Sequence, residues 1–446
     1  MDSTSFAGLM IVVLIVMIAA GIHINVALAT ASVLGVGILA GKTSVALSIL
    51  STTAFEVLRD YIFAVIPMFI LMGELIARSG AAKDLFQVVN RVLFFLPGRL
   101  AVATVIGNAV FAAVVGVSIA SAATFSRIAY PQMRALNYDK TVSLGCIAGS
   151  SSLGMLIPPS VLMIVWGVLT ELSIGKLFLA GFLPGFLLAG FYALYCVVLA
   201  LLKPELFGAG KAAIAAAMHS RGKPVEPVID LQTVLGTVGT LLLVVIVLGG
   251  IWTGYFTPTE ASGIGALLAL SLALLKGLKW DDIVDAISET GRTSAPLLFL
   301  LICAQMYSRL LAMGGVVNSM QEFILGLGLG VLAIIAFMVL VWFILGMFID
   351  SVSIILLTVP IFAPLAIKLG LDPIAFAIIG ILAIEAGILT PPFGLAVYTV
   401  KACVPDKDVT LGQIFIGSMP YWVFLVGLAF LVYFFPIIAT YLPQNF

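Results

Sequence analysis

Long apolar runs separated by short polar stretches occupy this chain almost from end to end. A helix crosses a bilayer with about 20 apolar residues, and runs of that kind lie near 6–22, 24–40, 60–77, 141–170, 175–202, 231–253, 257–275, 295–313, 374–402 and 411–440. The spans must be helical, because a barrel would show short alternating segments and lipid tolerates no open sheet edge. Two further long apolar stretches, 100–130 and 331–366, carry Gly and Ser near their middles and read differently from plain spans. The stretches 80–98 and 280–293 are amphipathic and predict helices lying in the membrane interface, arms between moving and fixed parts. The longest polar stretch, 203–227, is rich in Ala, Gly and Pro and predicts a linker.

Composition agrees with the pattern. Of 446 residues, 62% are hydrophobic and 9% charged, against roughly 25% charged in soluble domains, so the fold class is an all-α polytopic membrane protein. The start, "MDSTSF", has no basic n-region or small-residue cleavage site, and reads as a retained helix and not a signal peptide. Cys146, Cys196, Cys303 and Cys403 stand singly in apolar segments without metal-ligand spacing, as small core hydrophobes do. There is no phosphate-binding Gly-rich loop with a Lys, and with two histidines there is no HExxH. No catalytic set emerges, and an enzyme is not expected.

Two spans carry adjacent prolines, Pro158-Pro159 in "GMLIPPSVLMIV" and Pro391-Pro392 in "GILTPPFGLAVY", 233 positions apart. The same offset relates Tyr130-Pro131 and "LNYD" to Ala363-Pro364 and "LGLD"; "SIGKLF" faces "TLGQIF" after a four-residue insertion, and Gly80 faces Gly314 at 234. Matches in this order indicate a duplicated half, and the period is far too long for a solenoid.

Charge gives the direction of the copies, since Lys and Arg gather in cytoplasmic loops. The first copy is flanked by Arg78, Lys83, Arg91, Arg99, Arg134 and Lys140, the second by little beyond Arg309 and Lys368. If 100–130 is a re-entrant hairpin turning near 114–121, all the first flanks lie on one side; 331–366 then turns near 345–353 and opens to the other. Of 21 basic residues, 15 then fall inside, five outside (Lys42, Arg59, Lys176, Arg309, Lys368), and Arg127 sits near the hairpin's foot. Two inverted repeats follow, with both termini outside.

Proline in a helix interior costs roughly 3 kcal/mol and frees carbonyls, which in lipid need a partner or a polar cavity. A hard cation such as Na⁺ is one such partner. The first copy offers Ser118 and Ser121 at the hairpin turn with Gly154, Ile157 and Pro159 in the break; the second offers Gly346, Asp350 and Ser351 with Gly387, Thr390 and Phe393. Close packing or simple kinks would use the same residue types. Half-helix N-termini exposed at the breaks suit an anionic substrate, and Ser150, Ser151 and Ser152 add hydroxyls beside them. With Pro158, Pro391, Ser351 and Glu385 these are the substrate-facing candidates. Arg127 either pairs with a substrate carboxylate or snorkels to the interface. Asp350 and Glu385 have no acidic counterparts in the first copy; they tune the second cation site or specificity, or are satisfied by helix ends. His23 reads as a loop residue more than a proton relay.

The runs "AGSSSLGMLIPPSVLMIVWG", "IEAGILTPPFGLAVY" and "YPQMRALNYDK" resemble the large membrane subunit of tripartite ATP-independent periplasmic (TRAP) transporters, the DctM-like permeases. The resemblance covers essentially the whole chain. It implies import of an organic acid, commonly a C4-dicarboxylate or sialic acid, into a bacterium across the inner membrane on a sodium gradient. It also implies a small four-helix membrane subunit, expected here as a separate chain, and a periplasmic substrate-binding protein. It implies an elevator-type fold similar to divalent-anion/sodium symporters, with sodium held at Gly116, Ser118, Gly154, Ile157, Pro159, Gly346, Gly387, Thr390 and Phe393. The chain departs from the family at Gly116-Val117-Ser118, at Ser351 and at His23, where Gly-Ser-Ser, Pro and Pro are common.

The expected division is scaffold helices and an arm in 1–99, the first transport half in 100–170, and scaffold helices, the 203–230 linker and a second arm in 171–330. The second transport half in 331–403 and a C-terminal helix in 404–446 complete it. A self-sufficient sodium/carboxylate symporter and a channel or structural scaffold are the competing functions.

Overall fold

A computed structural model describes residues 3–208, 230–326 and 328–445; most of the expected 203–230 linker lies outside the described residues. Every regular element among the described residues is helical, and eight helices are long and apolar enough to cross a membrane.

Both stretches set apart in the sequence are helical hairpins. The first pairs Arg99–Val115 with Ser118–Ala135, the second Val331–Gly346 with Ser351–Lys368. Both proline-pair segments are broken: Lys140–Ser151 and Val161–Thr170 flank the first break, Pro373–Gly387 and Leu395–Cys403 the second. Local chemistry explains the starts. Asp139 accepts from Val142 N and Asp372 from Ile374 N and Ala375 N, so the helix before each break starts on an aspartate at the 233 offset. Beyond the breaks, Ser173 caps Ile174–Leu202 and Thr410 caps Leu411–Phe434. A side-chain cap of this kind satisfies an amide that would otherwise be orphaned, worth about 1 kcal/mol.

These broken segments form the centre. Within Lys140–Thr170, 83% of its apolar 18-residue stretch is buried, against 28% of the corresponding stretch of Ile174–Leu202, which therefore lies further out. Lys140–Ser151 packs on Leu411–Phe434 so closely that a Cβ on Gly145 would lie 2.1 Å from the Gly417 carbonyl; small residues permit such backbone contact in membranes. The far half of each broken helix lies on the other copy's hairpin: Val161–Thr170 on Ser351–Lys368, and Leu395–Cys403 on Ser118–Ala135. Trp166, Trp342 and Phe376 interlock these parts, with ring centroids 5.3–6.0 Å apart.

The structure corrects three expectations. The segment 280–293 is no separate arm but the start of one helix, Trp280–Met313, that runs through Pro296. Its buried Ile283, Ala286, Thr290 and Ser294 continue one helical stripe into the apolar part, so the amphipathic and apolar segments share an axis. The helix Thr43–Arg59 was not anticipated, because Ser and Thr dilute its apolar face. The C-terminal run is two helices, Leu411–Phe434 and Ile437–Asn445, parted at Pro436, which cannot continue the amide ladder. The arm in 80–98 is the helix Ala81–Val92, clamped to the end of Pro258–Leu275 by a largely buried Asp84–Lys276 ion pair.

Candidate functional site

Each hairpin tip lies against its own copy's break. At the first, Gly116 ends Arg99–Val115 at φ 67°, its carbonyl accepts from Val161 N at 3.2 Å, and a Cβ there would lie 2.4 Å from the Pro159 oxygen. Gly154, in the single turn Leu153–Leu156, approaches the tip so closely that a Cβ would be 3.0 Å from Ser118 N. Ile157 is extended, with its amide donating to Leu153 O at 2.9 Å. Ser121, one turn beyond Ser118, is fully buried and its hydroxyl has no hydrogen-bond partner.

At the second tip, a Cβ on Gly346 would lie 2.7 Å from the Gly387 Cα. Phe393 N donates to Met347 O at 3.2 Å, and the Thr390 hydroxyl donates to Gly387 O at 2.6 Å. Asp350 caps Ser351–Lys368 by accepting from Ser353 N at 2.9 Å. The two breaks differ in cover: Pro158 and Pro159 are buried, whereas Pro391, Pro392 and Phe393 are exposed.

Glu385 joins the two sets. Its carboxyl is fully buried and accepts from Ser118 Oγ at 2.5 Å and Ser351 Oγ at 3.1 Å. These three side chains line a cavity of about 250 Å³ with Asp350, Met155, Leu395 and other apolar residues. A second cavity of about 720 Å³ shares Ile70, Val117, Ile119 and Thr293 with it and is lined further out by Arg127, Arg78, Glu74 and Glu289. Arg78 is engaged by Glu74 at 3.4 Å and Asp285 at 3.8 Å; Arg127 is exposed, and Cys403 Sγ lies 4.0 Å from its Nη2.

Ser150, Ser151 and Ser152 do not line either cavity. Their hydroxyls donate to Cys146 O, Ala148 O and Gly149 O within their own helix turns; Ser150 also accepts from Asn108, and Ser152 lies 3.1 Å from the Tyr192 hydroxyl. The sequence marks no role for Asn108, Met347 or Thr293. A polar Asn inside the apolar first hairpin was a visible signal; Met347 contributes only a backbone oxygen and left none.

The tips offer carbonyl and hydroxyl oxygens. Among the described residues no group of three or more His, Cys, Asp or Glu side chains converges as a polydentate metal site would require. Paired helical hairpins whose tips meet broken helices around a partly open cavity form a transporter-like arrangement. The chain belongs to the DctM component family of tripartite ATP-independent periplasmic transporters, whose model matches residues 11–438. It is 30% identical to the C4-dicarboxylate TRAP transporter large permease protein DctM of Pseudomonas aeruginosa, over 89% of each chain. It is also 30% identical to the ectoine TRAP transporter large permease protein TeaC of Halomonas elongata, over 97% of this chain and 98% of that one. The sialic acid TRAP transporter large permease protein SiaM of Vibrio cholerae is 28% identical over 87% of each. Among solved structures, the YdaH transporter of Alcanivorax borkumensis has the same general fold, with a TM-score of 0.56, 90% coverage of each chain and 13% identity.

Proposed function

We propose that this chain is the membrane permease of a sodium-driven importer for an organic acid, working in a bacterial inner membrane with both termini periplasmic. A periplasmic binding protein delivers the substrate, and a small four-helix membrane subunit completes the complex. The observation that carries this reading is the convergence of both hairpin tips and both breaks around Glu385.

Carbonyls and hydroxyls suit a hard cation better than a softer one, and the unpartnered Ser121 hydroxyl is a free oxygen at the first tip. Na⁺ would be held by Gly116, Ser118, Ser121, Gly154, Ile157 and Pro159 in one copy. Gly346, Asp350, Gly387, Thr390 and Phe393 would hold it in the other. Bound there, it supplies the positive charge that fixes tip against break and admits an anion. The protein's part is to align the tips, exclude water with the apolar cavity wall, and present Arg127 to the substrate carboxylate in the adjoining cavity. Ser351 and Glu385 shape the inner end, whereas Pro158 and Pro391 line neither cavity. The hairpins and broken helices, as inverted halves, move together as an elevator against the surrounding helices.

Reconstitution tests this reading. Proteoliposomes holding this chain, its small subunit and its binding protein should accumulate a labelled C4-dicarboxylate, sialic acid or another sugar acid under an inward Na⁺ gradient. The chain alone should show negligible uptake. Uptake by the chain alone would make it a self-sufficient symporter; flux that ignores the Na⁺ gradient would make it a channel.

A further inference from the structure

Glu385 lies on Pro373–Gly387, an element that begins on the capping Asp372 and ends at the second break. Its two carboxyl oxygens are divided between the hairpins: one accepts from Ser118, the other from Ser351. Those serines are the first residues of the two return legs, Ser118–Ala135 and Ser351–Lys368. A first-turn hydroxyl has no carbonyl four residues back within its own helix, so it is free to donate outward. Deeper in these helices Ser126 and Thr358 do the opposite, donating to Ala122 O and Ile354 O at 2.7 Å each.

The surroundings give the carboxyl little else to hold. No Lys or Arg lines the cavity, and the other acid there, Asp350, accepts from the Ser353 hydroxyl and amide. Glu385 therefore faces two helix N-termini, the second of which Asp350 also caps. Loss of that side chain strands two buried hydroxyls, one on each hairpin, and cuts the described side-chain link between the tips.

We propose that Glu385 is a positioning residue that couples the two hairpins, holding both tips through one carboxyl so that events at one tip are felt at the other. What arrives at the tips rests on the sodium-driven reading above; the link itself rests on geometry. A coupling free energy of the usual size changes affinity about 5- to 150-fold. Glu385→Ala should lower the Hill coefficient for Na⁺ activation toward one and raise half-saturation by about tenfold, within that range. Glu385→Gln, which can accept from one serine and donate to the other, should restore most of the cooperativity, which a role in filling space alone would not require.

Amide exchange of the full chain in nanodiscs reads the link without reference to sodium. Ser118→Ala and Ser351→Ala, small changes that leave the helices intact, should each speed exchange in both tips, 114–121 and 346–353. Glu385→Gln should leave both tips protected. Exchange that rises only in the mutated serine's own hairpin would overturn the proposal, as would an unchanged Hill coefficient in Glu385→Ala. If wild-type uptake ignores Na⁺, the sodium reading fails while the exchange result still decides the coupling.

Discussion

Asp406, in the loop after Leu395–Cys403, ties three parts of the molecule with one side chain. Its Oδ2 accepts from Lys140 Nζ at 2.9 Å and from the Tyr130 hydroxyl at 3.1 Å, joining the start of the first broken helix to the first hairpin's return leg. The Lys140 hydrogen bond, then the amide of Asp408, hold its carboxyl below the usual carboxylate range. A depressed folded value means that the stabilisation is complete above the unfolded Asp value of about 3.9 and is lost as pH falls through the folded value. Asp406→Asn should therefore lower the unfolding temperature at pH 7, and the gap to wild type should close as the pH drops below about 3.9. A gap that stays constant through the acid range would show that the charge is irrelevant. The sequence displayed both residues only as loop charges, because nothing local marks a partner lying across the chain. Glu385 was similar: an acid in an apolar run is conspicuous, but Ser118, 267 positions away, is not readable as its donor.

At the scale of elements, the breaks were legible because adjacent prolines cannot be accommodated silently in a helix. Their environments were not. The first is covered by Ile174–Leu202, where a Cβ on Gly181 would meet the Leu156 oxygen at 2.5 Å and one on Gly185 would meet the Ile157 side chain at 2.6 Å. The second has its Pro391-Pro392-Phe393 segment exposed. One motif thus has two surroundings, set by which neighbours carry glycine at the contact. Two substitutions separate packing from ion chemistry. Gly154→Leu forces atoms into the 3.0 Å approach to Ser118 N; it should cost about 1–3 kcal/mol as overpacking and abolish Na⁺-stimulated uptake. Thr390→Ala removes a hydroxyl whose bond to Gly387 O is worth about 1 kcal/mol. That variant should stay folded, with a severalfold higher Na⁺ requirement. Normal sodium dependence in both variants would refute the proposed cation sites.

At the scale of the whole molecule, reciprocal packing of each broken helix on the other copy's hairpin is the exchange expected of two halves related by a two-fold axis. Packing alone does not say which way each hairpin opens in a membrane, because the contacts are the same viewed from either side. Charge supplies the expectation to test, through the excess of Lys and Arg retained in the cytoplasm. The helix before the first hairpin carries Lys83 and Arg91 and the hairpin itself opens on Arg99, whereas the second hairpin ends on Lys368 alone. Lys42, Lys83, Lys279 and Lys368 are all exposed, so each can report sidedness without disturbing the interior. In a cysteine-free background, Lys42→Cys and Lys368→Cys should react with a membrane-impermeant maleimide added to intact cells once the outer membrane is opened. Lys83→Cys and Lys279→Cys should react only in inverted vesicles. Because Lys83 and Lys368 flank matching parts of the two copies, labelling both from the same side would mean parallel repeats, and the elevator reading would lose its geometric basis.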